Sequence, residues 1–132
     1  MRLSVQPLQQ ITPALCQDLA KLPLPEGVDD IESWLQEQQS DVWLATFNAK
    51  YIGLLLLSSR QQQLHIDWLV VREATRRRGV GRYLLEQAIA AYPDKETVVA
   101  GKDGAIPQLQ QYGFLTALGF SDQGHGRWLK AW

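Results

Sequence analysis

A single cysteine, Cys16, stands in the 132 residues, which excludes an internal disulfide and fits a reducing cytosol. No histidine lies near it in sequence, so it reads as a semi-buried thiol rather than a nucleophile. The two histidines, His65 and His125, have no neighbour at metal-ligand spacing, and surface or hydrogen-bonding roles are expected of them. Long apolar runs are missing too. Leu54–Leu57 falls far short of the ~20 residues that a spanning helix needs, and no leader-like segment opens the chain. Neither sign of charge dominates: 13 Lys and Arg against 14 Asp and Glu leave a net charge of −1, with no general pull toward nucleic acid. No linker, repeat or disordered tail interrupts the pattern. Length and a 45% apolar composition agree with one domain over residues 1–132, long enough for a single core.

Basic charge is present, but gathered. Five of the 13 basic residues, Arg72, Arg76, Arg77, Arg78 and Arg82, fall in one short stretch. There the apolar run Trp68–Val71 ends, an arginine-rich turn follows, and Gly79 and Gly81 lead into an amphipathic helical pattern. A helix start leaves unpaired backbone N–H groups at the positive end of the helix dipole. Glycines there let an anion approach the backbone, and arginines add charge-assisted hydrogen bonds of about 1.5–3 kcal/mol each. The stretch therefore suits a pyrophosphate, a small polyanion rather than a duplex. Two common phosphate motifs fail. Leu84 replaces the third glycine of the dinucleotide fingerprint, and no Gly-Lys-Ser/Thr follows the turn. What remains is R-x-x-G-x-G, Arg76 to Gly81.

The order of elements alternates strand and helix. Arg2 to Gln6 alternates as a strand, and Thr12 caps a helix with Pro13 at its first position and Leu15, Leu19 and Leu22 inward. Pro23 and Pro25 end it. Asp29 with Glu32 reads as a capping-box variant before a short helix carrying Ile31, Trp34 and Leu35. Asp41 to Phe47 and Tyr51 to Ser58 flank Asn48-Ala49-Lys50 as a hairpin. Leu64 to Val71 feeds the arginine turn; Val80, Leu84, Ala88 and Tyr92 then mark a helix face that Pro93 stops. Thr97 to Ala100 is expected as a parallel strand, Pro107 to Leu118 as a helix capped by Gly119, and Arg127 to Ala131 as a last strand after the Gly124-His125-Gly126 turn. Trp34, Trp43 and Trp68 sit at core-like positions, whereas Trp128 and Trp132 are better surface candidates.

With a strand before it and a helix after it, R-x-x-G-x-G resembles the acetyl-coenzyme A signature of the GNAT acyltransferases. The resemblance implies an α/β fold with a mixed central sheet flanked by helices, and acetyl-CoA or coenzyme A as cofactor. It also implies coenzyme contacts from Leu69, Val70 and Val71, then Thr75, Arg76, Arg77, Arg78, Gly79, Val80, Gly81 and Arg82. A second segment, Phe114 to Phe120, is similar to the family's F-Y-x-x-x-G-F, but Leu115 replaces the tyrosine that commonly protonates the leaving thiolate. The family's pantetheine-binding asparagine has no clear counterpart in Gly101 to Ile106. Acyl transfer to an amine calls for a base and an acid. Asp67 is the candidate base, with a salt-bridged strand residue as its alternative, and Tyr112 a candidate displaced acid, with ordinary packing as its alternative. Coenzyme binding looks intact and the chemistry weakened.

Val71 to Glu86, together with the Phe114–Phe120 ending that lacks its tyrosine, resembles the PanZ (PanM) family of small GNAT-like proteins. That resemblance implies a regulator that binds acetyl-CoA and the aspartate 1-decarboxylase proenzyme, and promotes its self-cleavage to the pyruvoyl form in pantothenate synthesis. Candidate partner contacts are Asn48, Arg72, Arg76, Arg77 and Arg78, since four arginines cannot all face one pyrophosphate. The alternative is an active N-acetyltransferase for a small amine or a protein N-terminus. Nucleic-acid binding through Arg76 to Arg78 is disfavoured, because the rest of the chain is not basic.

Overall fold

Leu54, Leu55, Leu56 and Leu57 are all buried, and successive members enter different cores. Such a run marks a strand covered on both faces. The computed structural model describes residues 3–22, 27–72, 79–100, 118–122 and 128–131. Its elements are β1 (Leu3–Pro7), α1 (Pro13–Leu19), α2 (Ile31–Glu37), β2 (Asp41–Phe47), β3 (Lys50–Arg60), β4 (Gln63–Val71), α3 (Val80–Ile89), β5 (Thr97–Ala100), β6 (Ser121–Asp122) and β7 (Trp128–Ala131). The strands form one sheet in the order β1-β2-β3-β4-β5-β7-β6. β4 and β5 are parallel and the other neighbouring pairs antiparallel, so the sheet is mixed, as expected. A parallel pair needs a crossover, and α3 supplies it.

Helices cover both faces. Val80, Leu84, Leu85, Ala88 and Ile89 of α3 pack with Leu55, Leu57, Leu69 and Val71. Leu15 and Leu19 of α1 and Leu35 of α2 pack with Leu44, Leu54, Leu56 and Val70 on the other face. Gly53 allows α3 its close approach: a Cβ there would stand 3.2 Å from both Ala45 Cβ and Leu84 Cδ2. At the far end of α3 the Tyr92 hydroxyl accepts from Trp43 Nε1 at 3.1 Å and donates to Asp41 Oδ2 at 2.5 Å. The Trp43 and Tyr92 rings meet edge-on, 6.3 Å apart.

Several expected boundaries move for identifiable reasons. Thr12 caps α1 as read, accepting from Leu15 N at 3.2 Å. That helix ends at Leu19, ahead of Pro23, and Leu22 is buried from the turn that follows. The cap of α2 is Asp30, not Asp29: its two carboxylate oxygens accept from Ser33 N at 3.3 Å and Ser33 Oγ at 2.8 Å, so no Asp29–Glu32 box is needed. The hairpin loop has two residues rather than three, because Lys50 already pairs with Phe47; Asn48 and Ala49 both take positive φ, 51° and 64°. Tyr92 lies beyond α3 instead of on its last turn. β6 was not anticipated; two residues against Leu129 and Trp128 carry too little pattern to read. Trp34, Trp43 and Trp68 are half-buried, packed on the edges of the cores rather than within them. The expected Pro107–Leu118 helix lies outside the described residues except for buried Leu118, and Gly119 after it has φ +92°.

Candidate functional site

Among the described residues, β5 pairs with β4 up to Ala100, opposite Ile66. Further along β4, Leu69, Val70 and Val71 pair with β3 through Leu55, Leu54 and Gly53. Their side chains are fully buried, at most 1% exposed, so a ligand beside them meets backbone N–H and C=O groups. Arg72 follows, its backbone N–H donating to Ile52 O at 2.8 Å.

Gly79 is the N-cap of α3, held in the left-handed region at φ +77°, ψ 10°. No atom lies within 4 Å of where a Cβ would stand, so it is the backbone angle that favours glycine here. Its carbonyl accepts from Tyr83 N at 2.9 Å, which starts the helix. With no side chain capping this end, the first-turn amides of Val80, Gly81 and Arg82 have no capping partner from Gly79. Val80 and Gly81 are buried; Arg82 is exposed and lies 3.4 Å from Glu86. An exposed pair of this kind is worth little, so the guanidinium is readily redirected to an anion. Among the described residues no side chain caps the start of α3, where the helix dipole and the Arg82 cation together suit an anion.

A family model described as an acetyltransferase (GNAT) domain, PanZ, matches residues 2–128. The chain belongs to the PanZ family. Two relatives are called PanD regulatory factor: that of Salmonella typhimurium is 36% identical and that of Escherichia coli K12 34% identical, each over 89 residues, 67% of this chain and 69% of theirs. Among solved structures, YhhK of E. coli, a candidate N-acetyl transferase determined by solution NMR bound to coenzyme A, superposes with a TM-score of 0.73 at 27% identity, covering 100% of both chains. The fold of this PanZ-family chain is therefore the GNAT fold that its sequence resembles.

Of the expected site residues in this PanZ-family chain, Leu69, Val70, Val71, Gly79, Val80, Gly81 and Arg82 are described; Thr75, Arg76, Arg77 and Arg78 lie outside the described residues. Tyr112, Leu115, His125 and Trp132 also lie outside them. Asn48 is exposed at the tip of the β2–β3 hairpin. That tip and Arg72 are at the same end of the sheet, since Gly53 of β3 pairs with Val71.

Asp67 has company that the sequence did not announce. Its Oδ2 accepts from Ser40 Oγ at 2.6 Å and from Ser58 Oγ, and the two hydroxyls are 3.3 Å apart. Ser40 and Ser58 are 27 and 9 residues from Asp67, and only strand register brings them together. On the far side of the sheet from α3, a groove of about 400 Å³ lies between α1 and α2, lined by Cys16, Asp29, Asp30 and Glu32 among others. Burial, then the Glu32 and Asp30 carboxylates, push the Cys16 thiol up from its ordinary value, which keeps it protonated. His65 Nε2 lies 3.3 Å from Gln63 Oε1. Among the described residues no group of three or more metal-ligating side chains forms, and no helix is long and apolar enough to cross a membrane.

Proposed function

We propose that this chain is a coenzyme A-responsive regulator of PanD, the aspartate 1-decarboxylase, acting on the proenzyme in the cytoplasm as a single GNAT-like domain over residues 1–132. The observation that carries this reading is the start of α3 at Gly79, which has no side-chain cap from that glycine, in a chain 34–36% identical to two PanD regulatory factors. The coenzyme pyrophosphate sits on the amides of α3 with the arginines of the preceding turn, and its arm runs along Leu69 to Val71. The partner meets the surface made by Asn48 and the arginines that the pyrophosphate leaves free, among Arg72, Arg76, Arg77 and Arg78.

A ligand regulates partner binding only if the two are energetically coupled, and that coupling is reciprocal. The Arg72–Ile52 hydrogen bond supports such coupling, because it ties the entry of the coenzyme turn to the strand that carries the hairpin tip. In the cell the bound ligand is acetyl-CoA or coenzyme A, which makes the protein a feedback element in pantothenate and coenzyme A synthesis.

Acetyl transfer to a small amine or a protein N-terminus is the competing reading. It needs Asp67 as base, and Asp67 Oδ2 is held by two serine hydroxyls. The deciding experiment mixes the purified protein with uncleaved PanD proenzyme, with and without acetyl-CoA, and follows cleavage on a gel. Acceleration that depends on acetyl-CoA is the expected result. Absence of both acceleration and complex, together with turnover in an amine screen, gives the transferase reading instead.

A further inference from the structure

Strict alternation along β4 would send Leu64, Ile66, Trp68 and Val70 to one face of the sheet. They do not stay together. Leu64 and Ile66 lie in the core beneath α3, whereas Trp68 and Val70 belong to the core beneath α1 and α2, and Leu69 and Val71 take their place under α3. The cross-strand register records the cause: Leu57 pairs with Ile66, Leu56 with Trp68, and Asp67 has no partner on β3. Asp67 is the extra residue of a β-bulge. Among the described residues, the parallel pairing with β5 runs up to Ile66, the residue immediately before it. One inserted residue thus sets which way the whole segment Leu69–Val71 faces.

An extra residue without a ladder partner needs something else to fix it, and here the side chain does so. The Asp67 carboxylate is held by Ser58, from the neighbouring strand, and by Ser40, from the segment leading into β2. Three separate segments converge on one oxygen, and hydrogen bonds to an ionised acceptor are the stronger kind. We propose that Ser40, Ser58 and Asp67 form a clamp that fixes the β4 bulge and so presents the Leu69–Val71 backbone to the coenzyme arm. Asp67 is then a positioning residue, not the base of an acetyl transfer. This inference rests on the coenzyme reading above.

Two ligands separate the clamp from the anion site. Coenzyme A carries the arm; 3′-phospho-ADP carries the same pyrophosphate without it. Calorimetry on Asp67→Ala, Asp67→Asn and the double variant Ser40→Ala/Ser58→Ala is compared with the parent protein, with circular dichroism confirming the fold of each. Asp67→Ala and the double serine variant should each bind coenzyme A about ten-fold more weakly, the loss of a charge-assisted hydrogen bond, while 3′-phospho-ADP affinity is unchanged. Asp67→Asn, whose amide oxygen still accepts from a hydroxyl, should recover most of the affinity. Equal weakening of both ligands, or undiminished coenzyme A affinity in a folded Asp67→Ala protein, overturns the clamp. Should Asp67→Ala not fold, the serine variant decides by the same comparison. A parent protein that binds neither ligand removes the coenzyme reading itself, and the clamp's role with it; binding of both by the parent without the expected difference removes the clamp alone.

Discussion

The backbone N–H of Arg72 donates to the carbonyl of Ile52 at 2.8 Å, joining the residue after β4 to the strand behind the Asn48 hairpin tip. Ile52 is itself an extra residue: the β2–β3 register passes from Ala45↔Gly53 to Thr46↔Tyr51 and leaves it without a partner on β2. A bulge of this kind is a place where a strand bends, so a shift at Arg72 has a ready route to the hairpin. Acetyl-CoA should therefore move the amide resonances of Lys50 to Ile52 as well as those of Gly79 to Arg82. Changes confined to the helix start, in a protein that binds the ligand, would dissociate the hairpin from the coenzyme site.

Glycine at 79 is required by its φ of +77°, not by crowding. Gly79→Ala should lower stability by about 1 kcal/mol, whereas Gly79→Asn should lose less, because asparagine tolerates the left-handed region. Thermal unfolding of the two variants checks the difference. At Gly81 the expected effect is on the ligand: Gly81→Leu should abolish coenzyme binding in calorimetry, and unchanged affinity would refute the assignment of the site.

Tyr92 gives a pH signature. Burial, followed by the hydrogen bond to Asp41, pushes its hydroxyl up from 10.0 to about 12. The unfolded chain ionises first as pH rises, so the stabilisation is complete below pH about 10 and is lost on approaching pH 12. Denaturation midpoints measured across this range should fall more steeply for the parent protein than for Tyr92→Phe. At neutral pH that variant should itself lose about 1 kcal/mol, since Trp43 Nε1 and Asp41 both lose their partner.

Cys16 should alkylate slowly at pH 8, because burial and the carboxylates of Glu32 and Asp30 disfavour its thiolate. Glu32→Gln removes one of those charges without disturbing the Asp30 cap, and a several-fold faster reaction with iodoacetamide is expected. A rate equal to that of the parent would mean that the Glu32 carboxylate does not hold the thiol back.

Much of this protein was legible in the chain because the relevant signals are local. Thr12-Pro13 specifies a capped helix start, and the four leucines from Leu54 to Leu57 specify a strand covered on both faces. Gly79, followed by an apolar helical pattern, specifies the start of α3. Each is written within a few residues, where backbone geometry and side-chain chemistry act together. The choice between Asp29 and Asp30 as helix cap was not legible, since adjacent aspartates offer the same chemistry and only the position of Ser33 chose between them.

Tertiary structure decided the rest. The sequence places Asp67 on a strand but contains no mark of a bulge, because the bulge exists only as a mismatch of register between β3 and β4. Ser40 and Ser58 are ordinary serines until strand pairing delivers their hydroxyls to one carboxylate. Asn48 and Arg72 likewise share an end of the sheet only because Gly53 pairs with Val71. Local pattern determines which element forms; the register between distant strands determines which residues meet, and that register is a property of the packed sheet as a whole.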